Sequence, residues 1–161
     1  MYSAIIDHYE AGPEKLKGAI SGLSHEDMLW TPTDPTLGRW SIQQIVIHLL
    51  DADLIWSSRM KSIIAEENPI ILGYDETKFA ERLLPDQQDA ANAVRLFELN
   101  RRQFVHVLRK LPESAFARPG RHNERGTITL GQSLQMMVEH VDHHIAFIRK
   151  KRDKLGKLWK E

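Results

Sequence analysis

Two histidines four residues apart open the chemistry of this chain. They lie in the run Met136-Met137-Val138-Glu139-His140-Val141-Asp142-His143-His144. On a helix, at about 100° per residue, His140 and His144 share one face about 40° apart, and two imidazoles one turn apart can bind one ion. His143 competes, because a spacing of three also brings side chains together. The apolar stripe decides between them. Leu130, Leu134, Met137, Val141 and Ile148 define it. His144 falls within about 40° of its centre and His140 at its edge, while His143 projects roughly 140° away. His140 and His144 are therefore the inward pair, and His143 a flanking residue that can support them.

A third imidazole stands in an earlier helical run, Ile42-Gln43-Gln44-Ile45-Val46-Ile47-His48-Leu49-Leu50-Asp51. His48 sits about 80° from the centre of the stripe formed by Ile42, Ile45, Leu49, Trp56, Met60 and Ile63. Burying three imidazoles without partners costs several kcal/mol. One shared divalent ion accounts for all three, and three His ligands with an open position is the arrangement of catalytic zinc. Nickel, iron(II) or manganese fit the same donors. The competing reading keeps the three as core histidines held by hydrogen bonds. Asp51, about 60° from His48, is a candidate ligand or supporting carboxylate; Asp142, about 160° from His140, belongs to solvent. His8, His25, His106 and His122 show no ligand spacing, though the loop position of His122 allows it to reach a cleft.

Four long helical patterns must position these groups. The first spans Ser3 to Leu23, with Gly12-Pro13 expected to kink or interrupt it. The second runs from Ser41, an N-cap with Gln44 three residues on, to Glu67, where Asn68-Pro69 stops it. The third covers Asp89 to Leu111. The fourth begins at Thr129, with Gln132 completing a second capping box, and reaches Lys154 or beyond. Between them lie long connections: Ser24–Arg39, Asn68–Gln88 with a short helix over Glu76–Arg82, and Pro112–Thr129. No strand is predicted. The expectation is an all-α four-helix bundle, with residues 1–161 forming one domain.

Composition narrows the function classes. Lys plus Arg and Asp plus Glu are both 22, for a net charge of zero. That argues against a general nucleic-acid binder, and the basic Arg149-Lys150-Lys151-Arg152 run reads as a helix end complementing its dipole. No apolar run is long enough to span a membrane and no signal peptide is visible, so a cytoplasmic location is expected. The chain has no cysteine. Disulfides, thiolate ligands and protein thiol nucleophiles are excluded.

The sequence resembles the DinB/YfiT-like superfamily of metal-binding four-helix proteins. The resemblance rests on Gly38-Arg39-Trp40-Ser41-Ile42-Gln43-Gln44-Ile45-Val46-Ile47-His48-Leu49-Leu50-Asp51-Ala52. It continues through Glu66-Glu67-Asn68-Pro69-Ile70 and Tyr74-Asp75-Glu76, and closes with His140-Val141-Asp142-His143-His144-Ile145-Ala146-Phe147-Ile148. It implies an up-down-down-up bundle, metal ligation by His48, His140 and His144, and a homodimer. The YfiT-like, bacillithiol-transferase branch is the nearest. The resemblance thus implies a small-molecule enzyme: a low-molecular-weight-thiol-dependent S-transferase, with the thiol as cosubstrate. The alternatives are a metal-dependent hydrolase using activated water, with Asp51, Tyr74, Asp75 or His122 as helper, and a non-catalytic metal-binding stress-related protein.

Overall fold

A computed structural model describes residues 2–159. It contains the expected all-α four-helix bundle. The long helices are α1 (Ser3–Ile20), α3 (Ile42–Ala65), α5 (Ala90–Leu108) and α6 (Leu130–Lys154); α2 (His25–Leu29) and α4 (Glu76–Arg82) are short helices in the connections. Helices α1 and α3 each pack against both α5 and α6, so α1 and α3 face each other diagonally across the bundle. Among the described residues no helix is long and apolar enough to cross a membrane.

Local chemistry sets the helix starts. The Ser41 hydroxyl accepts from the Gln44 amide at 3.1 Å, and the Ser41 N–H donates to Gln44 Oε1 at 2.9 Å. Thr129 and Gln132 repeat this reciprocal bond at the head of α6. Each box satisfies two otherwise orphaned donors and fixes the phase of the helix that follows.

Two sequence expectations fail. The first is the break at Gly12-Pro13, since α1 runs through Pro13 without interruption. Proline removes the N–H that would bond to the carbonyl four residues back, which is that of Tyr9. Arg101 of α5 replaces it: its Nη1 donates to the Tyr9 carbonyl at 2.9 Å. Gly12 makes room, because a Cβ there would collide with that guanidinium.

The second is the absence of strands. The connections carry a small three-stranded sheet: β1 (Ile70–Ile71) pairs in parallel with β2 (Pro119–His122), which pairs antiparallel with β3 (Gly126–Thr129). Runs of two to four residues are too short to show alternation, and Pro119, Gly120 and Gly126 read as turn signals. The sheet matters because it places Ile71 opposite His122.

The buried apolar residues form two clusters. One holds Trp56, Met60, Phe104 and Met137; the other holds Ile45, Leu49, Phe97 and Ile145. Polar residues occupy the waist between them, and the candidate site lies there.

Candidate metal centre

His48 lies seven residues beyond the Ser41 cap of α3, and His140 and His144 lie in the middle of α6. The structure brings these three together. Their Nε2 atoms turn inward: His48 to His140 at 3.0 Å, and His144 to His140 at 3.1 Å. One ligand atom from each ring lies within 4.8 Å of the others. His48 is buried, deeper than its marginal helical phase predicts, and His140 and His144 are half-buried. The extra cover comes from Trp40, whose ring lies 4.7 Å from that of His48 and stacks over His144 at 6.0 Å.

Burial keeps the trio uncharged. Desolvation, then the neighbouring His140, pushes the His48 pKa down to about 3. Desolvation followed by Arg101 takes His140 to about 4, and desolvation followed by His140 and His48 takes His144 to about 2. At neutral pH the result is three neutral imidazoles aimed at one point.

Those rings cannot satisfy one another. A neutral imidazole nitrogen either donates or accepts, and His140 Nε2 faces two others of its kind. One divalent cation answers all three lone pairs at once, so the donor set fits a metal ion. His140 Nδ1 is also buried and has no hydrogen-bond partner among the described residues.

The other candidates fall outside the group. His143 is exposed and stands edge-on to His144, with ring centroids 5.3 Å apart. Asp51 is half-buried; desolvation raises its pKa, and it is not one of the converging ligands. Asp142 pairs with Lys15 at the surface, at 2.6 Å. His8, His25 and His106 are exposed.

His122 is the residue that spacing could not find. It is buried, stacks on Trp56 at 6.0 Å, and lines the same cavity of about 400 Å³ as His140. Its Nδ1 accepts from the Glu124 amide at 3.2 Å, so its ring proton sits on Nε2. A second cavity, of about 240 Å³, opens beside His144 and is walled by Trp40, Phe147 and Lys151. The larger is lined by His140 and the smaller by His144, so each borders a different member of the trio.

A four-helix bundle with three inward histidines defines a metal-site class, and the chain falls within a known one. Residues 8–148 match the DinB superfamily, and the chain belongs to that family. It is 31% identical over 143 residues to a protein of Oceanobacillus iheyensis, covering 89% of this chain and 81% of that one. It is 31% identical over 148 residues to YfiT of Bacillus subtilis, covering 91% and 82%. Both relatives carry provisional names as metal-dependent hydrolases. The solved structure of YfiT, described as a four-helix bundle of unusual topology, superposes with a TM-score of 0.88 at 29% identity, over 98% of this chain and 87% of that one. A mycothiol-dependent maleylpyruvate isomerase shares the fold at a TM-score of 0.70 and 14% identity, over 92% and 60%.

Proposed function

We propose that this chain is a divalent-metal-dependent enzyme that joins a low-molecular-weight thiol to an electrophilic second substrate. The observation that carries the reading is that two separate cavities border one histidine trio, one lined by His140 and the other by His144. A two-substrate reaction needs two approaches to one centre. His48, His140 and His144 would hold the ion, with zinc the first expectation. When bound, a divalent ion there would lower the pKa of a thiol and make thiolate available at neutral pH.

The remaining chemistry belongs to side chains. Trp40 packs against His48 and His144 and forms one wall of the smaller cavity. The Nε2–H of His122 is a donor in the larger cavity for a polar group of the bound substrate. The carbon–sulfur bond forms as the leaving group departs with its electron pair, and the thiol proton passes to solvent or to that group. With no cysteine in the chain, the sulfur must come from the cosubstrate. The reading extends to a cytoplasmic homodimer.

Hydrolysis is the second reading, favoured by the names of the relatives. One experiment separates the two. Metal-reconstituted protein is assayed with a fluorogenic electrophile and a panel of thiols, and in parallel with ester and amide substrates lacking thiol. Metal- and thiol-dependent conjugation is expected. Turnover of an ester or amide without conjugation overturns the transferase in favour of the hydrolase.

A further inference from the structure

Of the arginines in the structure, Arg101, Arg109 and Arg118 each pair with a carboxylate. Among the described residues Arg59 and Arg125, both lining the cavity beside His140, have no such ion pair. Arg59 donates to the Leu72 carbonyl, and Arg125 Nη1 approaches Met136 Sδ at 3.1 Å. Neither contact neutralises a guanidinium.

We propose that this cavity is a carboxylate-binding site, in which Arg59 and Arg125, with the Nε2–H of His122, hold a carboxylate of the substrate while its reacting group reaches the histidine trio. The proposal rests on the enzymatic reading above and names a chemical feature of its substrate.

The geometry is built rather than incidental. The Arg59 guanidinium carbon lies 4.6 Å from the Trp56 ring and 5.5 Å from that of Tyr74. His122 stacks on the same indole, with its plane only 16° from parallel. Both donors are thus held by one buried aromatic side chain. Arg59 stands eleven residues after His48 on α3, three turns later and on the same face, at a rise of about 16 Å. Arg125 touches Met136, one turn before His140 on α6. The cavity therefore runs from a histidine of the trio to a pair of guanidiniums, and a substrate spanning it carries its anion at the far end from its reacting group.

Electrostatics points the same way. Burial first of all, and also the charge of Arg125, lowers the Arg59 pKa from its ordinary value, against Tyr74 and Glu124, which raise it. Burial and both arginines lower that of His122. Glu124 offsets part of this crowding at both Arg59 and His122, and a bound carboxylate relieves the repulsion that is left while accepting forked N–H bonds. The acidic side chains Asp75, Glu76 and Glu124 also line the cavity. They repel a dianionic phosphate more than a singly charged carboxylate, which selects between the two oxyanions.

The test uses the full chain freed of metal by chelation and dialysis, so that no carboxylate can bind at an ion. Butyrate is titrated while the indole N–H of Trp56 is followed by NMR, with neutral butyramide and inorganic phosphate in parallel. Butyrate should shift the Trp56 signal and butyramide should not. Arg59→Gln and Arg125→Gln should each weaken butyrate binding about tenfold or more, whereas Arg102→Gln on the exposed face of α5 should not. Arg125 is exposed, so its variant tests the site even if Arg59→Gln disturbs the stack on Trp56. Equal binding of butyramide, tighter binding of phosphate, or indifference to both substitutions overturns the proposal. Conjugation activity is scored separately. If it fails while butyrate binding persists, the transferase reading falls and the carboxylate site stands; the reverse removes the site alone.

Discussion

Two polar clusters share the waist of this bundle, and they are built on opposite principles. One joins Asp53, Arg101, Tyr9 and Asn100. Arg101 Nε meets Asp53 Oδ1 at 2.8 Å, Nη1 meets the Tyr9 carbonyl, and Nη2 meets the Met137 carbonyl at 3.2 Å. Asn100 donates to the other Asp53 oxygen at 2.7 Å, and the guanidinium packs against the faces of Tyr9 and Phe97. Its charges cancel and its donors are used. The histidine trio, a few residues away on α3 and α6, is neutral and unsatisfied, with three lone pairs converging on one point. A cluster that closes on itself holds helices together. A cluster left open has a partner outside the chain, and the contrast separates structural from functional burial in one protein.

The largest expected effect tests the closed cluster. Arg101→Ala leaves the Asp53 carboxylate buried and uncompensated and frees the Tyr9 carbonyl opposite Pro13. The loss of unfolding free energy should be about 3–5 kcal/mol in urea denaturation. A double change, Asp53→Leu with Arg101→Met, removes both charges and should recover much of that loss. A single-variant loss below about 1 kcal/mol would break the comparison, because the cluster would not be holding the helices.

The open cluster should behave in the reverse sense. Adding zinc at about one hundred times its dissociation constant should stabilise the wild type by about 2.7 kcal/mol, because the ion binds only the folded trio. His144→Ala removes one of three donors and should lose both the bound metal and that stabilisation. Near-stoichiometric metal in the variant, measured by elemental analysis of untagged protein, would show that the ion sits elsewhere.

Parts of this contrast were legible in the sequence. The capping pairs Ser41/Gln44 and Thr129/Gln132 and the apolar stripes located the long helices, and helical phase favoured His144 over His143. What escaped depends on residues distant along the chain. Phase on one helix cannot register that Trp40 folds over His48, so His48 is deeper than its stripe position implied. Pro13 reads as a break because its compensating donor, Arg101, comes from another helix. Asp53 and Arg101 fall within otherwise apolar faces, where a hydrophobic pattern treats polar residues as noise. His122 sits in a short strand with no period to read, and only the sheet aims it at the cavity.

Acid sharpens the contrast in the metal-free protein. His48, His140 and His144 are held down to about 3, 4 and 2, against an ordinary value of 6.5. The unfolded chain therefore takes up these protons well before the native chain does. The stability that depends on neutral imidazoles is whole above about pH 6.5 and is lost as pH falls from there toward the folded values, at about 1.4 kcal/mol per pH unit for each ring. Urea denaturation at a series of pH values should show a slope shallower by one ring's share in His144→Ala. Equal slopes in the two proteins would mean that the trio is not desolvated.

The smallest expected effect carries the finest distinction. His143→Ala alters an exposed ring whose contacts are the edges of His144 and of Phe147, 5.1 Å away. An exposed substitution of this kind should change stability by less than about 0.5 kcal/mol. Metal content should stay at the wild-type level, because no nitrogen of His143 belongs to the converging group. The adjacent pair His143 and His144 thus becomes a test of helical phase itself. One residue of displacement turns a side chain by about 100°, which is enough to move an imidazole from the metal point to solvent. If His143→Ala lost metal as completely as His144→Ala, the inward face of α6 would have to be redrawn around a spacing of three, and the open cluster would have a different membership.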